Sequence, residues 1–327
     1  MLNEVSIEII RKCPNNCVYC SSLSDKDCTE VFAYNDFVSI VNDAMKLGAT
    51  TICLSGGEPF LHNRIIDIIN YLHNSNLNCN VYTSGIVFDN NMGYSSINES
   101  VLKSIVGKVS KLIFNIESTN VDTYNKIMGT EGCFHLMKQS IEKANKLGIK
   151  IEAHFVPMRL NIDDIESVID FCNILGISKI SFLRLVTHGR AQANEKDIAL
   201  SSDETEKIKI KLDSLQKQSN IDIRIGVPLS QKDNCHKCEA AKGKLNIRYD
   251  GSVFPCEVFK NDKVQTLPDG VQPDNIYNSS LIEIYNNSKY LRYIREESEK
   301  YLCSNKNETC IGQYMISSME RKSQNGK

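Results

Sequence analysis

The segment VSIEIIRKCPNNCVYCSS, residues 5–22, runs an apolar stretch straight into three cysteines. Its first six residues, VSIEII, are rich in β-branched side chains and predict a strand. Cys13, Cys17 and Cys20 then fall at i, i+4 and i+7, the spacing of a helical core stripe. Pro14 disfavours helix at Cys13, and Asn15-Asn16 is turn chemistry, so the thiols are expected on a loop.

Three thiols on one loop ask for a metal. A structural zinc site takes four protein ligands, and the next cysteine, Cys28, sits in a charged segment at unsuitable spacing. An iron–sulfur cluster that leaves one iron without a protein ligand fits three thiolates better. An open coordination position is what catalysis needs.

Outward from this segment the same rhythm repeats. Apolar runs TICLS (51–55), NVYTS (80–84), KLIFNIE (111–117), KIEAHFVP (150–157) and KISFLRLV (179–186) alternate with amphipathic stretches. NDFVSIVNDAMKLG (35–48) reads as a helix with Asn35 or Asp36 as N-cap and Gly48 as stop. NRIIDIINYLHN (63–74), FHLMKQSIEKANKLG (134–148) and IDDIESVIDFCNILG (162–176) read likewise. Six strand–helix units predict an α/β fold with a parallel sheet, either an incomplete barrel or an open doubly wound sheet. In both, ligands bind at the carboxyl ends of the strands, where Cys13–Cys20, SGGEP (55–59) and TSG (83–85) converge.

The 327 residues are 41% apolar and 24% charged, the composition of an ordinary soluble protein. A net charge of -2 and the absence of basic stripes give no case for a nucleic-acid or membrane-surface partner. MLNEVSIEII does not resemble a signal peptide, and no apolar run approaches the roughly 20 residues that span a bilayer. A cytoplasmic location is expected, where the thirteen cysteines stay unpaired. Cys53, Cys79 and Cys172 sit in apolar runs and read as small buried hydrophobes, while the roles of Cys28 and Cys133 stay open.

Beyond residue 187 the pattern changes. HGRAQ (188–192), with His188 and Arg190, reads as a solvated loop near the expected substrate mouth. A helix is expected over 202–218, a strand at IDIRIGV (221–227), and a hairpin at LNIRYDGSVFPC (245–256) turning at Asp250-Gly251. LIEIYNNSKYLRYIREES (281–298) reads as helix. The expected divisions are 1–220, 221–315 with Cys235, Cys238, Cys256, Cys303 and Cys310, and a loose tail, 316–327.

C-x3-C-x2-C with Tyr19 before its last cysteine, followed by GGEP at the next strand end, resembles the signature of radical S-adenosylmethionine enzymes over most of residues 5–186. The resemblance implies a partial (β/α)6 TIM-like barrel holding a [4Fe-4S] cluster on Cys13, Cys17 and Cys20. S-adenosylmethionine would chelate the open iron, and its reductive cleavage would give a 5′-deoxyadenosyl radical that abstracts hydrogen from a substrate. Gly56, Gly57, Glu58 and Pro59 match the segment that contacts the cofactor's amino group, with Glu58 expected to pair with an ammonium. Tyr19, Thr83, Ser84, Asn115, Glu117 and Arg184 fall where the family supplies further cofactor contacts.

Cys238, twelve residues, Gly251, four residues and Cys256 resemble the opening of the SPASM and twitch extensions. Only Cys303 and Cys310 follow, so one auxiliary [4Fe-4S] cluster in a small C-terminal cysteine-rich domain is implied. Its expected ligands are Cys238, Cys256, Cys303 and Cys310, with Cys235 as alternate and zinc as the competing occupant. His236 reads as a loop residue. This branch commonly modifies peptides or proteins by crosslink or thioether formation or by oxidation; a small-molecule substrate and a non-catalytic zinc-binding interaction protein are the alternatives. The first strand begins near residue 5, so a leader peptide is expected to bind the barrel or a separate leader-recognition protein. An external electron donor of flavodoxin or ferredoxin type is implied.

Overall fold

The computed structural model describes residues 1–226, 229, 238–260, 262–267, 269–303 and 310–325. The expected strands form in order: β1 (Glu4–Ile10), β2 (Thr51–Gly56) and β3 (Asn78–Thr83), then a short hairpin of β4 (Ile86–Phe88) and β5 (Tyr94–Ser96). β6 (Lys111–Asn115), β7 (Ile151–Phe155) and β8 (Lys179–Phe182) complete the six, and β9 (Asp222–Ile225), β10 (Lys244–Ile247) and β11 (Val253–Phe254) follow. One sheet runs β11-β10-β1-β2-β3-β6-β7-β8-β9, parallel throughout except between β10 and β11. β11 and β9 stand at its edges, so the fold is an open, TIM-like partial barrel.

Period-two alternation explains the layering. Val5, Ile7 and Ile9 of β1 are fully buried, while Ser6 faces the other way and meets Ser55 of β2, hydroxyl to hydroxyl, at 3.4 Å. The helices answer with stripes at helical spacing: Tyr34–Lys46 buries Phe37, Ile40, Val41 and Ala44. That helix starts a residue before the expected cap, after Ala33, and has no side-chain cap. Helix Ser202–Gln218 forms as expected, closed by a capping box between Ser201 and Glu204.

β10 pairs with β1 from Glu4↔Lys244 to Ile7↔Ile247, which sets the segment between Cys238 and Cys256 against the sheet's first strand. The expected turn at Asp250-Gly251 joins β10 to β11. The helix expected over 281–298 is two helices, Leu281–Asn287 and Lys289–Cys303, parted at Ser288, whose hydroxyl accepts from the Leu291 amide at 3.0 Å. Residues 316–325, expected to be loose, belong to a helix, Ile311–Asn325. Ile311, Met315 and Ile316 form its buried stripe, a period masked in the sequence by the polar residues around them. Among the described residues no helix is long and apolar enough to cross a membrane.

Candidate active site

The loop after β1 is held by backbone bonds. The Cys13 amide donates to Asp25 O at 2.9 Å, Asn16 to Met128 O at 3.0 Å and Val18 to Ile127 O at 2.9 Å. The last two acceptors end helix Val121–Met128, so that helix props up the middle of the loop. Gly57 donates to Ile10 O at 2.6 Å and Glu58 to Lys12 O at 2.9 Å, lacing the end of β2 to the root of the loop. A Cβ on Gly56 would stand 2.1 Å from Ile10 O, and one on Gly57 2.1 Å from Lys12 O. Both glycines are therefore required where two stretches of backbone touch. The expected close approach exists, but here its partner is the chain itself.

Cys13, Cys17 and Cys20 line one cavity of about 300 Å³, together with Tyr19, Gly56, Gly57, Thr83, Ser84, Asn115 and Arg184. The carboxyl ends of all six expected strands contribute to it. Glu58 and Glu117, in contrast, lie behind the wall and are fully buried. Glu58 accepts from Thr83 Oγ1 at 2.7 Å, the Ser84 amide at 2.9 Å and Ser84 Oγ at 2.7 Å. The carboxylate expected to meet an ammonium is thus engaged by the TSG turn, which it positions. Pro59 opens the short 3-10 turn Pro59–Leu61 behind it. Glu117 accepts from Tyr19 Oη at 2.7 Å and from the Val156 amide at 2.8 Å, and burial holds its carboxyl up at about 7. Asn115 donates to Tyr19 Oη at 3.3 Å, so Tyr19 is fixed at the cavity edge.

Arg184 leaves the end of β8 and donates through Nη2 to Cys310 Sγ at 2.8 Å. Cys238, Cys256 and Cys310 stand close enough to feel one another's charge; burial first, then Cys310 and Cys238, push the Cys256 thiol up to about 12. Cys235, His236 and the side chain of Cys303 lie outside the described residues. Sequence reasoning missed Glu257, which follows Cys256 and lines the main cavity. It is ion-paired to the buried Lys260, which also pairs with Glu8 of β1. The adjacency to a singled-out cysteine was its only signal. HGRAQ is no solvated loop either. His188 is buried, and Arg190 donates to Cys17 O at 2.7 Å and Ser24 O at 2.6 Å.

A family model described as the radical SAM superfamily matches residues 7–172. The chain belongs to that superfamily. A second model, an iron-sulfur cluster-binding domain named SPASM, matches residues 234–310 and places the chain in the SPASM branch. The probable GTP 3′,8-cyclase of Methanococcus aeolicus is 25% identical over 81% of this chain and 89% of its own. The PqqA peptide cyclase of Ruegeria pomeroyi is 24% identical over 87% of this chain and 76% of its own. Among solved structures, SuiB of Streptococcus suis bound to precursor peptide SuiA superposes with a TM-score of 0.71 at 15% identity, covering 90% of this chain and 67% of that one.

Radical SAM membership makes this chain an enzyme, with a [4Fe-4S] cluster and S-adenosylmethionine as cofactors and an auxiliary cluster in the second matched region. That sets aside the non-catalytic zinc reading. The donors at the barrel mouth fit the first cluster. Burial, then neighbouring cysteine sulfurs, push the Cys13 and Cys17 thiols well above their ordinary range, so it is bound iron that would ionise them. Among the described residues no histidine and no fourth cysteine lines the cavity, and no three side chains close on a single ion. A cubane spreads its ligands over separate irons, which suits thiols that do not converge on one point. Asn15, Ser24 Oγ and Arg184 Nη1 are buried at this wall without partners among the described residues, polar groups left for a polar ligand.

Proposed function

We propose that this cytoplasmic radical SAM enzyme modifies a peptide or protein after translation, removing hydrogen from one residue to yield a crosslink, a thioether or an oxidised side chain. The size of the cavity carries this reading. About 300 Å³ is the small end of ligand pockets. S-adenosylmethionine would by itself fill a cavity of that size, which favours a substrate that presents one side chain at the mouth over one that enters whole. The likeness to a PqqA peptide cyclase and to a structure with a precursor peptide bound supports it.

When bound, the cluster and S-adenosylmethionine supply an organic radical able to take hydrogen from an unreactive carbon. Cys13, Cys17 and Cys20 would hold the cluster. Thr83 and Ser84, set by Glu58, and Asn115 and Tyr19, set by Glu117, would position the cofactor, while Arg184 would meet its carboxylate. Cys238, Cys256 and Cys310, with Cys303 or Cys235, would hold the auxiliary cluster. Electrons would come from a flavodoxin- or ferredoxin-type donor, and a separate protein would present a leader peptide. The likeness to GTP 3′,8-cyclases favours a second reading, a small-molecule substrate. Reconstituted, reduced enzyme incubated anaerobically with S-adenosylmethionine separates them. Deuterium passing from a labelled peptide encoded nearby into 5′-deoxyadenosine supports the first reading; transfer only from a nucleotide or other small molecule overturns it.

A further inference from the structure

Arg190 stands 173 residues from Cys17 in sequence, yet its Nε donates to Cys17 O at 2.7 Å. Its Nη2 reaches Ser24 O at 2.6 Å and its amide donates to Cys20 O at 3.0 Å, while Asn194 Nδ2 donates to Val18 O at 2.9 Å. One short segment thus grips four carbonyls of the cysteine loop. It lies so close that a Cβ on Gly189 would stand 2.6 Å from Cys20 O, at a φ of +59° that also favours glycine. The guanidinium lines the same cavity as the three thiols, and its side-chain bonds go to neutral carbonyls.

We propose that Arg190 is a positioning residue of the cluster loop, closing it across Cys17 and Ser24, and that its charge raises the reduction potential of the cluster held there. The inference rests on the assignment of Cys13, Cys17 and Cys20 to that cluster. One electron entering the cluster adds negative charge and changes no bond. A cation in a partly dry wall stabilises that reduced form, and its loss disfavours reduction.

The test uses full-length protein reconstituted with iron and sulfide as wild type, Arg190→Gln and Arg190→Lys. Each is titrated with a mediated reductant while following the paramagnetic signal that changes on adding S-adenosylmethionine. In Arg190→Gln the reduction equilibrium should fall at least about tenfold, ~59 mV for one electron. Arg190→Lys keeps the charge and should stay within about threefold of wild type. A fully loaded Arg190→Gln with the wild-type potential overturns the proposal. Should the glutamine variant take up no iron at this site, the lysine variant decides: loading at the wild-type potential supports it, and equal loss of iron overturns it. A wild-type protein with no signal responsive to S-adenosylmethionine overturns the cysteine assignment itself, a result distinct from a signal that Arg190→Gln leaves unmoved.

Discussion

Arg184 donates through Nη2 to the sulfur of Cys310 across 2.8 Å, while its Nη1 is buried at the wall of the cavity that holds Cys13, Cys17 and Cys20. One planar fork therefore touches both cysteine sites. Lysine keeps the charge but cannot reach in two directions at once. Arg184→Lys should weaken S-adenosylmethionine binding roughly tenfold or more, the worth of one charged hydrogen bond. Equilibrium dialysis under nitrogen measures it, and unchanged affinity would remove Arg184 from the cofactor site.

Gly57 joins the two motifs that the sequence presents as separate. A methyl group there would meet Lys12 O at 2.1 Å and Arg11 O at 2.4 Å. Gly57→Ala should cost about 1–3 kcal/mol or more and lower the iron bound after reconstitution, because the root of the cysteine loop must shift. Gly148→Ala, in open space, serves as control and should lose only the roughly 1–2 kcal/mol of left-handed backbone strain while keeping its iron.

Much of this was legible in the chain. The six strands show period two or continuous apolar runs, and the cysteine spacing, GGEP and TSG all sit at their ends. Hairpin Ile86–Ser96 was not, since its three-residue strands are too short to show a period. Helix Ile311–Asn325 was hidden for a different reason, a narrow apolar stripe among many polar residues. Sequence identifies a polar side chain but not its partner. Glu58 and Arg190 were visible as residues, yet what they grip lies 25 and 173 positions away.

Glu117 gives a pH dependence of defined sign. Its carboxyl is held at about 7 in the folded chain, against 4.5 ordinarily, chiefly because burial disfavours the charge. Between those values the folded protein keeps a proton that the unfolded chain releases. Stability should therefore fall as pH rises from about 4.5 to about 7, by about 3 kcal/mol in total, and level off above. Urea melts of the metal-free chain across that range check it. Glu117→Gln should flatten the slope, and an unchanged slope in that variant would move the effect elsewhere.

Lys260 neutralises Glu8 where both are buried, and Ser22 Oγ adds a bond to Glu8 at 2.7 Å. Lys260→Met should cost about 3–5 kcal/mol by leaving that buried carboxylate without its paired cation. Adding Glu8→Gln should recover at least about 1 kcal/mol of it. Denaturant midpoints of the two variants decide, and a loss under about 1 kcal/mol in Lys260→Met would contradict the pairing.

On the proposed function, Cys13, Cys17 and Cys20 together carry one cluster with an iron left open to S-adenosylmethionine. Electron paramagnetic resonance of anaerobically reconstituted, dithionite-reduced protein, with and without S-adenosylmethionine, tests it most directly. The expected result is a cluster signal that S-adenosylmethionine changes, absent from Cys17→Ala, while the auxiliary signal survives in that variant. A Cys17→Ala protein with the wild-type response, or bound zinc without iron in the wild type, would contradict it.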